Sequence, residues 1–431
     1  MFFFLFSMPF VSQAAVDLEL TQGINSAIPL AVVPFSGNNT STDLLDMAAI
    51  INSDLQSSGR FHLLDPAKML EKPGSIDQVN AKNWQAVNMD NLAVATIKPT
   101  PDGKYQVSFQ LLDIYGGQKQ NANSKPSSLM TKQFIVPAAG MRKLAHHLSD
   151  VIYEKLTGNK GVFSTHIAYV VVEKANNIPA RYRLEVADVD GSSPKSIIVS
   201  REPIMSPAWS PDGSKIAYVS FEKNHAGIYV QEITTGSRRL VTDFPGINGA
   251  PAWSPDGAQL AFVLSKEGSP NIFTLDLATN KLVRRTTGSS IDTEPRWSPD
   301  GKNLLFTSNR SGGPQIYQID LASGNINRLT YEGNYNTSGM FSPDGKSIVM
   351  LHQEGGAYNI AVQNLQSGKI DILTQTGKDQ SPSLAPNGSM VVFATKAGTR
   401  QVLGMVSTEA HVQLRLPARE GDVREPAWSP L

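Results

Sequence analysis

Met205-Ser206-Pro207-Ala208-Trp209-Ser210-Pro211-Asp212-Gly213 opens a pattern that returns through the rest of the chain. Trp-Ser-Pro-Asp-Gly stands at 209–213, 253–257 and 297–301. Phe341-Ser342-Pro343-Asp344-Gly345 and Leu384-Ala385-Pro386-Asn387-Gly388 follow, and Trp428-Ser429-Pro430 is a truncated last copy. The steps from each aromatic or leucine to the next are 44, 44, 44, 43 and 44 residues. A fixed period in this range marks a repeat architecture. Proline pre-sets φ at the first turn position, and glycine accepts the positive φ that a tight hairpin needs. An apolar strand comes next in every unit, as in Ile216-Ala217-Tyr218-Val219 and Leu260-Ala261-Phe262-Val263. A third strand (Ile228-Tyr229-Val230, Ile272-Phe273-Thr274-Leu275) and a fourth (Arg239-Leu240-Val241, Lys281-Leu282-Val283, Arg328-Leu329-Thr330) complete it. Four strands per unit make a propeller blade.

Counting strands fixes the closure. Small-residue inner strands end near 209, 253, 297, 341, 384 and 428. Ile167-Ala168-Tyr169-Val170 is a second strand with no inner strand before it, and the inner strand at 425–429 has no second strand after it. Each orphan supplies what the other lacks. The expected fold is therefore an α/β N-terminal domain followed by an all-β six-bladed β-propeller with four-stranded blades, closed by the C-terminal strand. Closure also removes the open sheet edges that template aggregation. Trp209, Trp253, Trp297 and Trp428 read as wedges between blades, and the aspartates of the Ser-Pro-Asp-Gly turns as turn residues.

The segment before the repeat has a different grammar. Leu30-Ala31-Val32-Val33-Pro34-Phe35 is a buried strand run. Leu44, Met47, Ala48, Ile51 and Leu55 follow a helical spacing, with Asp43 and Asp46 in the first turn and Gly59 past the end. Ala93–Ile97 and Tyr105–Phe109 flank a Pro101-Asp102-Gly103 turn, a hairpin signal. Met141, Leu144, Leu148, Ile152 and Leu156 mark a second helix ended by Gly158. Gly116 to Ser128 reads as a mobile loop. Phe2-Phe3-Phe4-Leu5-Phe6 with Ser12-Gln13-Ala14 before Ala15 resembles a secretory signal with a small-residue cleavage site. The run is too short to span a bilayer, which takes roughly 20 apolar residues. No Lys or Arg lies between Met1 and Phe6, so either the true start is upstream or the signal is atypical. The expected organisation is a signal at 1–14, a mature N-terminal segment at 15–28, an α/β domain at 29–158, a linker at 159–164 and the propeller at 165–431.

Composition narrows the chemistry. Lys+Arg 38 balances Asp+Glu 38, which lacks the basic footprint that phosphate backbones require and speaks against nucleic acid. With no cysteine there is no disulfide framework, thiolate metal site or thiol nucleophile. The chain has no G-x-S-x-G elbow, G-x-G-x-x-G, P-loop or H-E-x-x-H motif. His146 and His147 are neighbours on a helix and point about 100° apart, so one is expected packed and the other solvated. No catalytic, metal or cofactor residue is therefore expected. Acidic residues at Asp292, Glu294, Asp379, Asp422 and Glu425 precede inner strands and would ring one mouth of the central channel. A binding rim is the plainer reading of them; the alternative is a hydrolase built from paired carboxylates.

Taken in order, these segments closely resemble the TolB family, periplasmic proteins of the Tol-Pal envelope system. The resemblance is carried by Pro29–Phe35, Glu154–Gly158, Ile167–Val171, Met205–Gly213, Asn248–Pro251, Ser383–Gly388 and Pro426–Pro430. It implies a non-enzymatic, monomeric periplasmic adaptor without cofactor. The channel mouth would bind the peptidoglycan-associated lipoprotein Pal, and the mature N-terminal segment the C-terminal domain of TolA, linking inner-membrane energy to the outer membrane during cell division. Colicin translocation segments would compete for the Pal site. By matching positions, the Pal surface would use Met205, Asn248, Ala250, Thr293 and Glu294. Ile247 departs from the basic or imidazole side chain of enterobacterial relatives, and Tyr335-Asn336-Thr337-Ser338 is also unlike theirs. The TolA segment would be Ala15, Val16, Asp17, Leu18, Glu19 and Leu20, with Val16, Leu18 and Leu20 on one side, as strand addition to a partner's sheet requires. In the isolated protein the same strand is expected either free or packed on its own α/β domain, with Pal binding favouring the sequestered state.

Overall fold

A computed structural model describes residues 18–19, 27–37, 45–117, 125–175, 178–417 and 419–431. The signal expected at 1–14, and Ala15, Val16, Asp17 and Leu20 of the expected TolA segment, lie outside the described residues. The chain forms a mixed five-stranded sheet with helices, followed by six four-stranded sheets around an axis.

In the N-terminal sheet, β2 (Ile28–Val32) lies between β3 (Phe61–Leu63) and β4 (Asn91–Pro99), parallel to both. β5 (Tyr105–Asp113) and β6 (Ser127–Val136) extend it antiparallel. Both faces are covered because side chains alternate along a strand. Leu30, Val32, Ala93 and Ala95 meet helices α1 (Met47–Ser57) and α3 (Met141–Thr157), whereas Ala31, Val33, Leu92 and Val94 meet Trp84 of α2 (Ala81–Ala86). Asp46 caps α1, its carboxylate accepting from the Ala49 N–H at 3.1 Å, so it stands before the first turn and not within it. Gly158 ends α3 at φ +78°. The loop expected from Gly116 to Ser128 is shorter at its end, since β6 begins at Ser127.

Blade 1 consists of β7 (His166–Ala175), β8 (Ile178–Asp188), β9 (Lys195–Ser200) and, as inner strand, Asp422–Trp428 from the C-terminus. The last strand runs antiparallel to β7 with Asp422 opposite Val172 and Trp428 opposite Ile167. The ring closes as the strand count requires. The other inner strands are Ile204–Trp209, Asn248–Trp253, Asp292–Trp297, Tyr335–Phe341 and Gln380–Leu384, each ending on the aromatic or leucine of its motif. The fourth strand of blade 4 is Ile326–Arg328, slightly ahead of the stretch read from sequence.

The turn is held by its serine. Ser210 Oγ donates to Asp212 Oδ1 at 2.5 Å and accepts the Lys215 N–H at 2.9 Å, while the Gly213 N–H reaches the Ser210 carbonyl at 2.9 Å. Ser254, Ser298 and Ser342 repeat this. Blade 6 has Ala385 and Asn387 instead, and Asn387 Nδ2 donates to the Lys160 carbonyl at 2.7 Å, tying that turn to the segment after α3. The tryptophans are wedges. Trp209, Trp253 and Trp297 each donate Nε1–H to the carbonyl of Ala427, Ala208 and Ala252 on the preceding blade, at 3.0, 3.1 and 3.1 Å.

Candidate functional site: the channel mouth

Each inner strand contains one β-bulge, and all six fall at the same place, between Met205 and Ala208 in blade 2 and between Arg424 and Ala427 in blade 1. The bulged residue is left-handed in every case: Ser206 (φ 50°), Ala250 (47°), Glu294 (54°), Ser338 (55°), Ser381 (49°) and Glu425 (47°). A left-handed backbone costs a non-glycine residue roughly 1–2 kcal/mol. Bulges re-aim side chains, and strain of this kind persists only where surrounding structure over-determines it. Here the surrounding structure is the next blade. The Glu425 carboxylate accepts from the Ser206 N–H at 2.5 Å and from its hydroxyl at 3.2 Å, joining blade 1 to blade 2. Glu294 accepts the Ser338 N–H and hydroxyl, both at 2.9 Å, and the Thr307 hydroxyl at 2.8 Å, joining blade 4 to blade 5.

Above this ring lies an open cavity of about 740 Å³ lined by Met205, Ile247, Ala250, Ile291, Thr293, Glu294, Ser381, Lys396, Arg424 and Glu425 among others. Met205, Ile247 and Ile291 are 40, 49 and 50 % exposed, forming an apolar crescent over three successive blades. Of the residues carried over by resemblance, Met205, Ala250, Thr293 and Glu294 come together here. Asn248 does not face the cavity. It is fully buried, accepting the Phe244 N–H at 3.2 Å and donating to the Phe244 carbonyl at 2.6 Å, and so holds the loop that presents Ile247. Ile291 was missed, although it stands one 44-residue step after Ile247.

Of the five acidic residues expected at the mouth, three line the cavity and two do not. Asp292 and Asp379 are completely buried. Asp292 accepts from Arg310 through both oxygens at 3.0 Å, and Asp379 is held by the hydroxyls of Thr374 and Thr376. Burial pushes the Asp379 carboxyl above its ordinary value against those hydrogen bonds. Glu425 is raised for the same reason, with the Ser206 bonds opposing. Glu294, Asp422 and Glu425 line the cavity, but the two glutamates are spent on joints between blades.

Two features lie away from the mouth. Leu18–Glu19 (β1) adds to the outer strand of blade 6, Gln413–Arg415, with Leu18 opposite Leu414 and Glu19 opposite Gln413. Leu18–Glu19 is thus neither free nor packed on the α/β sheet, the two states expected, but paired with the propeller, because the outer blade strand offers free backbone groups. Second, His146 on α3 is buried and its Nδ1 lies 2.8 Å from Asp54 Oδ2, whereas His147 is exposed. His146, Asp188 and Asp190 are grouped closely enough to hold a metal ion, but Arg142 pairs with both aspartates and already supplies the positive charge.

Among the described residues no helix is long and apolar enough to cross a membrane. Residues 153–431 match the model of the TolB beta propeller domain, and residues 16–120 that of the TolB amino-terminal domain. The Tol-Pal system protein TolB of Coxiella burnetii is 58% identical over 422 residues, 97% of this chain and 95% of that protein. That of Legionella pneumophila subsp. pneumophila is 56% identical over 427 residues, covering 99% and 98%. The crystal structure of TolB from Acinetobacter baumannii superposes with a TM-score of 0.86 at 42% identity, over 97% of this chain and all of that one (100%). Mixed sheet, six blades and extent of identity agree: this chain belongs to the TolB family, non-enzymatic components of the Tol-Pal envelope system.

Proposed function

We propose that the chain is a monomeric periplasmic adaptor that docks Pal on the channel mouth and the TolA C-terminal domain through Ala15–Leu20, supporting outer-membrane integrity and constriction at division. Colicin translocation segments compete for the mouth. The observation that carries this reading is the apolar crescent of Met205, Ile247 and Ile291 over an open cavity whose glutamates are tied into the ring. Exposed apolar groups rimmed by polar ones suit a protein partner, and carboxylates already held by neighbouring blades suit hydrolysis poorly. Ala250, Thr293 and Glu294 line the partner's seat and Asn248 shapes it from below. The N-terminal segment adds to the edge of TolA's sheet by the same backbone bonding with which Leu18–Glu19 adds to blade 6.

The test is a pull-down with purified Pal and the TolA C-terminal domain. Deleting Ala15–Ser26 is expected to abolish TolA capture and leave Pal capture intact. Ile291→Asp is expected to weaken Pal binding at least tenfold and leave TolA untouched. Loss of both partners with either variant alone would refute two separate sites. Turnover of a sugar or peptide, lost on Glu294→Ala, would favour the hydrolase reading instead.

A further inference from the structure

Two residues beyond the left-handed position, the inner strands carry Ala208, Ala252, Arg296, Met340, Ser383 and Ala427. Arg296 is the one charged member of this ring. All six line a second cavity of about 310 Å³ at the turn end of the channel, and of the six only Arg296 also lines the mouth cavity. Its side chain therefore stands at the boundary between the two.

A guanidinium carries five N–H donors and no acceptor. Among the described residues Arg296 finds no hydrogen-bond partner, and Glu294 is the only charge acting on it. Glu294 cannot serve it well, since its carboxylate is occupied by Ser338 and Thr307. Arg296 is half-buried between the two cavities, and the protein around it pushes the guanidinium below its ordinary pKa despite that neighbour. A half-buried cation whose donors meet no protein acceptor leaves part of its desolvation uncompensated. Nothing in the blade packing requires it, since the same level is served elsewhere by alanine, serine and methionine. The charges lining the mouth are balanced, with Arg296, Lys396 and Arg424 against Glu294, Asp422 and Glu425. A general positive field is thus absent, and what distinguishes Arg296 is its unspent fork of donors.

We propose that Arg296 is a carboxylate-binding subsite on the floor of the mouth, filled by an Asp or Glu side chain that the docked protein partner lowers into the channel. A carboxylate matches the guanidinium fork through two parallel N–H···O bonds. This rests on the mouth-docking reading above, in which the ligand is a protein and carboxylate is the anion it can offer. The subsite sets partner choice, because a partner without an acidic group at that depth leaves Arg296 desolvated and unpaired.

The test measures the affinity of the full chain for purified Pal by titration calorimetry, using wild type, Arg296→Met, Arg296→Lys and the rim variant Ile291→Asp. Methionine already stands at the equivalent place in blade 5, so Arg296→Met is expected to fold with unchanged or raised thermal midpoint. It should weaken binding tenfold or more, with Arg296→Lys between. Each Asp and Glu of Pal is then replaced by alanine against both wild type and Arg296→Met. One replacement is expected to lose its effect in the Arg296→Met background, a coupling that a merely structural role would not produce. If wild type binds, Ile291→Asp weakens binding and Arg296→Met does not, the subsite is refuted and mouth docking stands. If wild type does not bind, both fall. If sulfate competes in an Arg296-dependent manner but no Pal residue couples, Arg296 holds a free oxyanion and the proposal is overturned.

Discussion

At the scale of single residues, the same chain positions serve two ends of the channel differently. The motif tryptophans are visible in the sequence because packing between blades needs one bulky side chain per repeat, and their indole bonds to the preceding blade follow from that position. Trp253→Phe keeps the wedge but strips the donor from the Ala208 carbonyl, and is expected to cost about 1 kcal/mol, read as a lower urea midpoint with unchanged slope. An unaltered midpoint would mean water replaces the indole without loss. The strained ring at the mouth was not legible. Ser206, Ala250, Glu294, Ser338, Ser381 and Glu425 are three serines, two glutamates and an alanine, and none is the glycine or asparagine that a left-handed backbone favours. Their conformation is set by the register shift against the neighbouring strand and, at Ser206, Glu294, Ser338 and Glu425, by hydrogen bonds with another blade, both invisible to local pattern. Asn248 illustrates the converse: its match to the family is real, yet its amide is consumed by the loop at Phe244.

At the scale of elements, closure was the most legible feature, because two unmatched half-blades can only complete each other. Its energetic consequence is large. Deleting residues 422–431 removes the inner strand of blade 1, the Glu425 tie to Ser206 and the Trp428 indole, which donates to Thr165 Oγ1 at 2.7 Å. It also exposes β7 as an open edge. The loss is expected to exceed the whole stability of a typical domain, about 5–15 kcal/mol, and size-exclusion chromatography should show aggregate in place of monomer. A monomeric truncated chain with native circular dichroism would contradict the seam's importance. Other elements escaped the sequence for stated reasons. β6 is an edge strand whose Ile135 is 61 % exposed, so it lacks the inward alternation by which strands are read. α2 is six residues long and is held by the Trp84 Nε1–H donated to Glu71 at 2.6 Å, a contact across a loop. β1 pairs with a strand nearly 400 residues later in the chain, and alternation alone does not name a partner edge.

At the scale of the whole molecule, the α/β unit and the propeller share one apolar cluster, from Leu55 and Ile152 to Met390, Met405 and Trp428. A polar group sits beside it. His146 faces Asp54 from α1, Asp190 from the turn after β8 and Arg142 one turn back on α3; Asp188, paired with Arg142, also has His166 Nε2 at 3.7 Å. Burial alone would lower the His146 pKa, but the hydrogen bond its imidazole donates to Asp54 and the charges of Asp54 and Asp190 outweigh it and raise it above 6.5. Burial also raises Asp54. Both groups hold their proton more tightly folded than unfolded. The histidine's contribution is full below 6.5 and lost as pH rises through its higher folded value. The thermal midpoint is expected to fall as pH rises above 6.5 through that higher folded value, and His146→Gln to be less stable at pH 6 with a flatter profile above it. Equal slopes in calorimetry would remove this cluster from the account. The ring itself is not uniform. Indole bonds and glutamate ties join most neighbouring blades near the axis, but blade 5 carries Phe341 and blade 6 Leu384 where the other four carry tryptophan, and among the described residues no carboxylate links Ser338 to Ser381. Blades 5 and 6 meet there by packing through Leu351, Leu384 and Phe393, with polar links further out where Gln413 Nε2 donates to the Leu373 carbonyl and His411 Nε2 lies 3.1 Å from Asp371 Oδ2. Under a pulling load the hub of this joint, without an indole bond or a carboxylate tie, is expected to open before the hubs that join blades 1 to 5. The joint parts there first while the outer links serve as hinge, so mechanical failure starts beside the blade on which β1 rests.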